Sequence, residues 1–190
     1  FFMQKLNSIN IPTHFIKRLN MREQLVEKCE IIPLEVVVRN IAAGSLSKRL
    51  GIKEGTRLPR PLVEFYYKDD SLNDPLVTES QITTFEWASE AELGEIFEIA
   101  LRTNDFLCGL LLAVDLTLVD FKIEIGRSLK SDGEKLIIAD EISPDTCRLW
   151  DSKTKRRLDK DVFRLNKGSI AVAYTEVANR FDLLPKNVKR

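Results

Sequence analysis

Leu118-Val119-Asp120-Phe121-Lys122-Ile123-Glu124-Ile125 alternates with period two, the spacing of a β-strand. The alternation assigns Asp120, Lys122 and Glu124 to one face and Val119, Phe121, Ile123 and Ile125 to the other. Residues 126–134 are polar, contain Gly133 and read as a turn. Lys135-Leu136-Ile137-Ile138-Ala139 then reads as a second apolar strand that ends in Asp140-Glu141. A hairpin of this kind brings Glu124 and Asp140 together at one end of a buried ribbon. Charges on one strand face are most simply a solvated face, but both strands are more apolar than a solvated edge usually is. Two carboxylates beside Lys122 suit Mg²⁺, which keeps several waters and takes substrate phosphates as its remaining ligands.

Upstream, Ile31-Ile32-Pro33-Leu34-Glu35-Val36-Val37-Val38-Arg39 is β-branched and strand-like, with Glu35 and Arg39 on one side. Asn40-Ile41-Ala42-Ala43-Gly44-Ser45 follows. Small residues directly after a basic one let backbone N–H groups approach an anion, with Arg39 giving a bidentate grip and Ser45 a further donor. A tight turn leading into a helix N-cap explains the same residues equally well. A short helical turn over 47–50 is stopped by Gly51, and 59–67 is another apolar strand running into a polar loop over 68–75.

Ser89 and Glu92 form a capping box that opens the longest helix. Leu93, Ile96, Phe97, Ala100, Leu101, Asn104, Leu107, Cys108 and Leu111 make its apolar stripe, so it is expected to pack on the sheet. Beyond the hairpin, Ser143-Pro144-Asp145 signals a turn, and Arg148 is either a phosphate ligand or a surface arginine. Residues 153–160 read as an exposed charged loop, and 166–181 as a final helix burying Ile170, Ala173, Tyr174, Val177 and Phe181.

The chain of 190 residues carries 29 basic and 29 acidic side chains, so no global field favours nucleic acid or an anionic membrane. No apolar run reaches membrane-spanning length. Cys29, Cys108 and Cys147 are widely spaced and include no CxxC pair, which argues against zinc and disulfides and fits a reducing cytoplasm. Phe1-Phe2-Met3 lacks a basic leader and a small-residue cleavage site, so no secretory signal is expected there. Residues 1–6 resemble the middle of an amphipathic helix without an N-cap, so a preceding segment is expected. Residues 14–19 and 24–29 read as two strands joined by a polar turn, and His14, the only histidine, is read as structural. The residues alone imply an α/β domain whose hairpin carboxylates and loop arginines suit a Mg²⁺-dependent enzyme handling phosphate-bearing ligands.

Three stretches sharpen that expectation. Residues 31–45, 118–126 and 139–151 resemble, in order, three conserved blocks of the phosphoribosylaminoimidazole-succinocarboxamide synthase (SAICAR synthetase) family. Ile125 stands where the family usually has phenylalanine, an apolar exchange on the buried face. Family members also begin with a small β-rich lobe bearing a Gly-Lys-Ala-Lys loop over the ATP phosphates, which this sequence lacks. It therefore resembles the C-terminal three-quarters of such an enzyme.

The resemblance implies an α/β (α+β) fold, SAICAR synthase-like and related to kinase and ATP-grasp architectures, with a central mainly antiparallel sheet and flanking helices. Residues 1–30 would be the remainder of an N-terminal ATP-binding lobe and hinge, and 31–190 the substrate- and metal-binding domain. It implies an ATP-dependent ligase of purine biosynthesis, cytoplasmic and homodimeric, joining carboxyaminoimidazole ribonucleotide (CAIR) to L-aspartate through an acyl phosphate. By similarity Mg²⁺ would sit on Glu124 and Asp140, with Lys122 adding positive charge. Arg39, Ser45 and Arg148 would hold the CAIR phosphate, and Glu35 would lie near the CAIR base or its metal. Lys28 and Ile32 would flank the adenine, Asp120 and Asp145 would share the cleft, and Lys68 and Asp74 would lie on the aspartate side. The alternatives are a small-molecule kinase, against which the missing His-Arg-Asp loop speaks, and a nucleotide-binding module without ligase activity.

Overall fold

The alternating stretch lies at the middle of the sheet in the computed structural model, which describes residues 1–131 and 135–184. Strand β3 (Cys29–Ile41) lies antiparallel between β4 (Arg57–Tyr67) and β6 (Leu116–Ser128), and β5 (Leu76–Val77) lies outside β4. Two strands share the far edge of β6. β7 (Leu136–Ala139) pairs with its residues 124–127, and β8 (Cys147–Asp151) with its residues 116–121. The 140–146 connection leaves the sheet between them, and there the Lys122 N–H donates to the Thr146 carbonyl at 2.9 Å. The expected hairpin is therefore present, but β6 continues through Ser128 instead of turning at Gly126. Residues 132–134, in the expected turn, lie outside the described residues.

One face of this sheet is dry. Ile32, Leu34, Val36 and Val38 of β3 share a core with Phe121, Ile123 and Ile125 of β6 and with helix α4 (Glu90–Leu112). Truncating such a fully buried side chain, Phe121 for example, costs about 3–5 kcal/mol. The capping box forms as read: Ser89 Oγ accepts the Glu92 N–H at 3.2 Å, and Glu92 Oε2 accepts the Ser89 N–H at 2.8 Å. Glu92 also takes the Arg127 Nε–H at 2.6 Å, tying the helix start to β6. Arg127 holds the Glu92 carboxyl down at about 2.

Several expectations change. Leu118 faces the core with Phe121, whereas Val119 packs with Ala43 and Trp150, because a bulge between Leu118 and Asp120 reverses the parity of β6. On α4, Ile99 and Thr103 are buried and Leu101 is exposed, so the stripe is rotated from its expected position. Helix α2 (Gly44–Leu50) starts three residues earlier than expected and ends at Gly51 in the left-handed conformation. Residues 147–151 form β8 instead of continuing the turn. Leu158 and Asp159, placed in an exposed loop, are buried under it. The final helix, expected over 166–181, is α6 (Ile170–Arg180), preceded by a separate short helix α5 (Asp161–Arg164); α6 buries Ala173 and Val177, with Ile170, Tyr174 and Phe181 half-buried.

A boundary at residue 30 does not follow the packing. Met3 and Leu6 of α1 (Phe2–Asn7), and Ile11, belong to the main core, and Phe1 and Phe2 contact Phe181. Only the hairpin of β1 (Phe15–Arg18) and β2 (Gln24–Val26) forms a sheet of its own. No helix among the described residues is long and apolar enough to cross a membrane.

Candidate active site

The other face of β3 and β6 is charged. Glu35 lies opposite Glu124, Val37 opposite Lys122, and Arg39 opposite Asp120. Like charges directly across a strand pair destabilise it. Here Lys122 relieves the conflict, with Nζ 2.6 Å from Glu35 Oε1 and 3.6 Å from Glu124 Oε1. Lys68, just after β4, donates to Glu124 Oε2 at 2.5 Å. Two glutamates and two lysines thus form a neutral group at one end of a cleft of about 300 Å³. Burial works to lower the Lys122 pKa, but Glu35, Glu124 and Asp140 outweigh it and raise it.

The second group is a ladder of alternating charge. Arg49 pairs with Glu64, and Glu64 with Arg39 at 2.7 Å. Arg39 pairs with Asp120 at 3.0 Å, and Asp120 with Arg148 at 2.9 Å. Arg148 then pairs with Asp161 at 2.7 Å, and Asp161 with Arg164 at 3.2 Å. Four guanidiniums alternate with three carboxylates, so the ladder both begins and ends on arginine and keeps one positive charge in excess. Burial pushes the Asp120 carboxyl up, and Arg148 and Arg39 pull it back. Burial works against the Arg148 charge as well, but Asp120 and Asp161 raise its pKa nonetheless.

The bulge of β6 and the pairing with β8 bring Asp120 and Arg148 into register. Gly44 makes the remaining room. A Cβ there would stand 2.5 Å from Arg148 Nη2, and its φ of +54° is one that side chains disfavour. Arg148 therefore lies across the start of α2, where Ser45 is exposed. Gly44, Ser45, Lys48, Arg148 and Arg164 line an adjoining groove of about 900 Å³ that shares Arg148, Asp161 and Arg164 with the cleft.

Of the residues singled out in the sequence, Glu35, Arg39, Asp74, Asp120, Lys122, Asp145 and Arg148 meet in the cleft. Ser45 lies in the groove, and Glu124 and Lys68 are joined to the cleft through Lys122. Asp145 is held by Lys160 at 2.8 Å and by Tyr174 at 3.0 Å, and the Lys160 ammonium lowers its pKa.

Two placements differ from expectation. Arg39 is 3% exposed and already spends Nε on Glu64, Nη1 on Asp120 and Nη2 on Ser45 and Tyr66. A two-pronged grip on a ligand would require one of these partners to be exchanged. Ile32 points into the core with no exposed surface, so its side chain cannot touch a nucleotide; Lys28 is exposed.

Sequence reading missed Glu64, Tyr66, Asp159, Lys160, Asp161 and Arg164. The period-two placement of Glu64 and Tyr66 was a usable signal. So was the apolar Leu158 directly before Asp159-Lys160-Asp161.

Glu124 and Asp140 stand on, and just beyond, neighbouring strands at one end of this face. Glu124 is 4% exposed and pairs across the strands with Ala139, one residue before Asp140. Asp140 is exposed and takes a positive φ of 56° at the end of β7. Among the described residues no three acidic, histidine or cysteine side chains cluster to cage a metal. One buried and one exposed carboxylate instead fit Mg²⁺, which needs few protein ligands when waters and phosphates complete its shell.

Comparison with known proteins agrees with this architecture. A family model described as SAICAR synthetase matches residues 1–181. The phosphoribosylaminoimidazole-succinocarboxamide synthase of Dinoroseobacter shibae is 65% identical over 98% of this chain and 74% of its own length. The crystal structure of the same-named protein from Ehrlichia chaffeensis superposes with a TM-score of 0.94 at 50% identity, covering 97% of this chain and 78% of that one. A SAICAR synthetase in complex with ADP gives 0.92 at 46% identity, with 97% and 78% covered. With its fold so matched and the family model extending over residues 1–181, the chain belongs to the SAICAR synthetase family.

Proposed function

We propose that this protein is an ATP-dependent ligase that joins CAIR to L-aspartate, giving SAICAR, ADP and phosphate in purine biosynthesis. The observation that carries the reading is the arginine-terminated ladder meeting a carboxylate–lysine group in one cleft. A ribonucleotide phosphate suits the groove beside Ser45, where Lys48, Arg148 and Arg164 gather. The phosphoryl transfer belongs at the other end, where Glu124 and Asp140 would hold Mg²⁺. When bound, that ion neutralises charge on the transferring phosphoryl group.

The chemistry divides into two steps. First, a CAIR carboxylate oxygen takes the γ-phosphoryl group of ATP and ADP leaves. The aspartate amine then attacks the acyl carbon, the bond to the phosphate oxygen breaks, phosphate departs and the nitrogen loses its proton. Lys122, held between Glu35 and Glu124, keeps a positive charge beside the reacting carboxylate. Arg148 and Ser45 anchor the CAIR phosphate, Arg39 orients Ser45 and Asp120, and Glu35 faces the base. Asp74, Asp145 and Lys160 line the cleft where L-aspartate would lie. The adenine would sit against residues 28–32, where β3 leaves the β1–β2 hairpin; there the exposed Ile31, not Ile32, is the apolar side chain available. We place the protein in the cytoplasm as a homodimer, with the hairpin as the hinge side of a nucleotide-binding lobe.

The test is phosphate release with ATP, Mg²⁺ and CAIR, with and without L-aspartate. Release that depends on aspartate and yields the succinocarboxamide is the expected result. Release indifferent to aspartate would make the protein a kinase or an ATPase instead.

A further inference from the structure

We propose that Lys68 stands in for the divalent cation on Glu124 and surrenders that oxygen when the cation arrives. The proposal rests on the reading of Glu124 and Asp140 as the cation pair. A carboxylate only 4% exposed cannot be left without a counter-charge. Of the two lysines available, Lys122 is committed elsewhere, 2.6 Å from Glu35 and 3.6 Å from Glu124. Lys68 at 2.5 Å is the close partner.

The two lysines also differ in how they are held. Lys122 lies within β6, its backbone paired with Val37 of β3 and its N–H given to the Thr146 carbonyl, with its side chain 28% exposed. Lys68 follows the last residue of β4. Its backbone N–H is fixed to the Pro33 carbonyl at 3.0 Å, while its side chain is 45% exposed. An anchored backbone with a free four-carbon stem allows the ammonium to swing without moving the sheet.

Charge counting gives the direction of the exchange. Glu35 and Glu124 contact the two ammoniums and Asp140 adds its negative field at Lys122, so three carboxylates stand against two lysines. A dication added to that set leaves one positive charge in excess, and the side chain free to carry it away is Lys68.

The experiment is calorimetric titration of the nucleotide-free protein with Mn²⁺, comparing wild type, Lys68→Met, Lys68→Arg and Glu124→Gln. Removing the competing ammonium in Lys68→Met is expected to tighten Mn²⁺ binding roughly tenfold, the worth of one charge-assisted hydrogen bond. Lys68→Arg keeps the competitor and should bind no tighter than wild type, and Glu124→Gln should lose the site. Mn²⁺ binding in Glu124→Gln equal to wild type would remove the cation pair itself. Loss of binding in Glu124→Gln, with Lys68→Met no tighter than wild type, would overturn the exchange and leave the pair standing. Should Lys68→Met not fold, a second measurement needs only wild type. The ¹³Cε resonance of Lys68, assigned by its loss in Lys68→Arg, should shift on addition of Mg²⁺, and an unmoved resonance would also overturn the proposal.

Discussion

Asp120→Asn is the most direct test of the ladder, because it removes one charge and almost no volume. Asp120 Oδ2 accepts from Arg39 Nη1 at 3.0 Å and from Arg148 Nη1 at 2.9 Å, so those two nitrogens lie within about 6 Å of each other. With the carboxylate neutralised, two guanidiniums at that separation repel by about 3 kcal/mol at an effective dielectric constant of about 20. The figure agrees with the roughly 3–5 kcal/mol lost when one partner of a buried ion pair is removed. The lower end applies, since the asparagine oxygen still accepts one N–H and Glu64 and Asp161 still flank the arginines. Urea unfolding at pH 7.5 should therefore show a loss of about 3 kcal/mol. Because the variant ladder has two positive charges in excess instead of one, inorganic phosphate should stabilise it more than it stabilises wild type. A variant within about 1 kcal/mol of wild type, and equally responsive to phosphate, would refute the ladder as a charge-balanced support for an anion.

Three other perturbations probe neighbouring parts. Glu124→Gln should cut aspartate-dependent phosphate release by about 100-fold or more, while its unfolding midpoint stays close to wild type because the freed Lys68 can turn to water; equal losses of turnover and stability would make Glu124 merely structural. Gly44→Ala places a methyl group 2.5 Å from Arg148 Nη2 on backbone with φ of +54°. It should raise the KM for the ribonucleotide about tenfold, roughly one lost charge-assisted hydrogen bond, and an unchanged KM would remove Arg148 from substrate binding. Asp159 gives the pH prediction. Burial pushes its pKa up to about 6, against N–H groups donated by Asp161 at 2.7 Å and Leu149 at 2.8 Å. A carboxyl raised in the folded state adds stability fully below the unfolded value near 4, and that stability is lost as pH rises through 6. Wild type should thus gain about 2 kcal/mol relative to Asp159→Asn between pH 7 and pH 4, and parallel urea midpoints across that range would refute it.

What the sequence revealed and what it hid follow from the range over which each feature is determined. Alternation in 31–39 and 118–125 is local, so the two central strands and the charged face of each were legible. The partners of those charges were not, because partnership depends on register. Arg39 meets Asp120 across 81 positions of sequence, and Glu64 across 25. The parity change at Val119 follows from the pairing with β8, whose five residues stand behind a proline turn and carry no alternation long enough to stand out. Asp159 and Leu158 look like members of a charged loop until β8 covers them. The site was nonetheless marked by a local conflict. A buried strand pair that sets Glu35 against Glu124 is a choice no folding requirement favours. It persists where two lysines offset it, and such disagreements between fold and local energetics concentrate at functional sites. Once the register is known, the unfavourable pair says more about function than any favourable one. A sheet built only for stability would place an apolar or opposite-charge pair at that position.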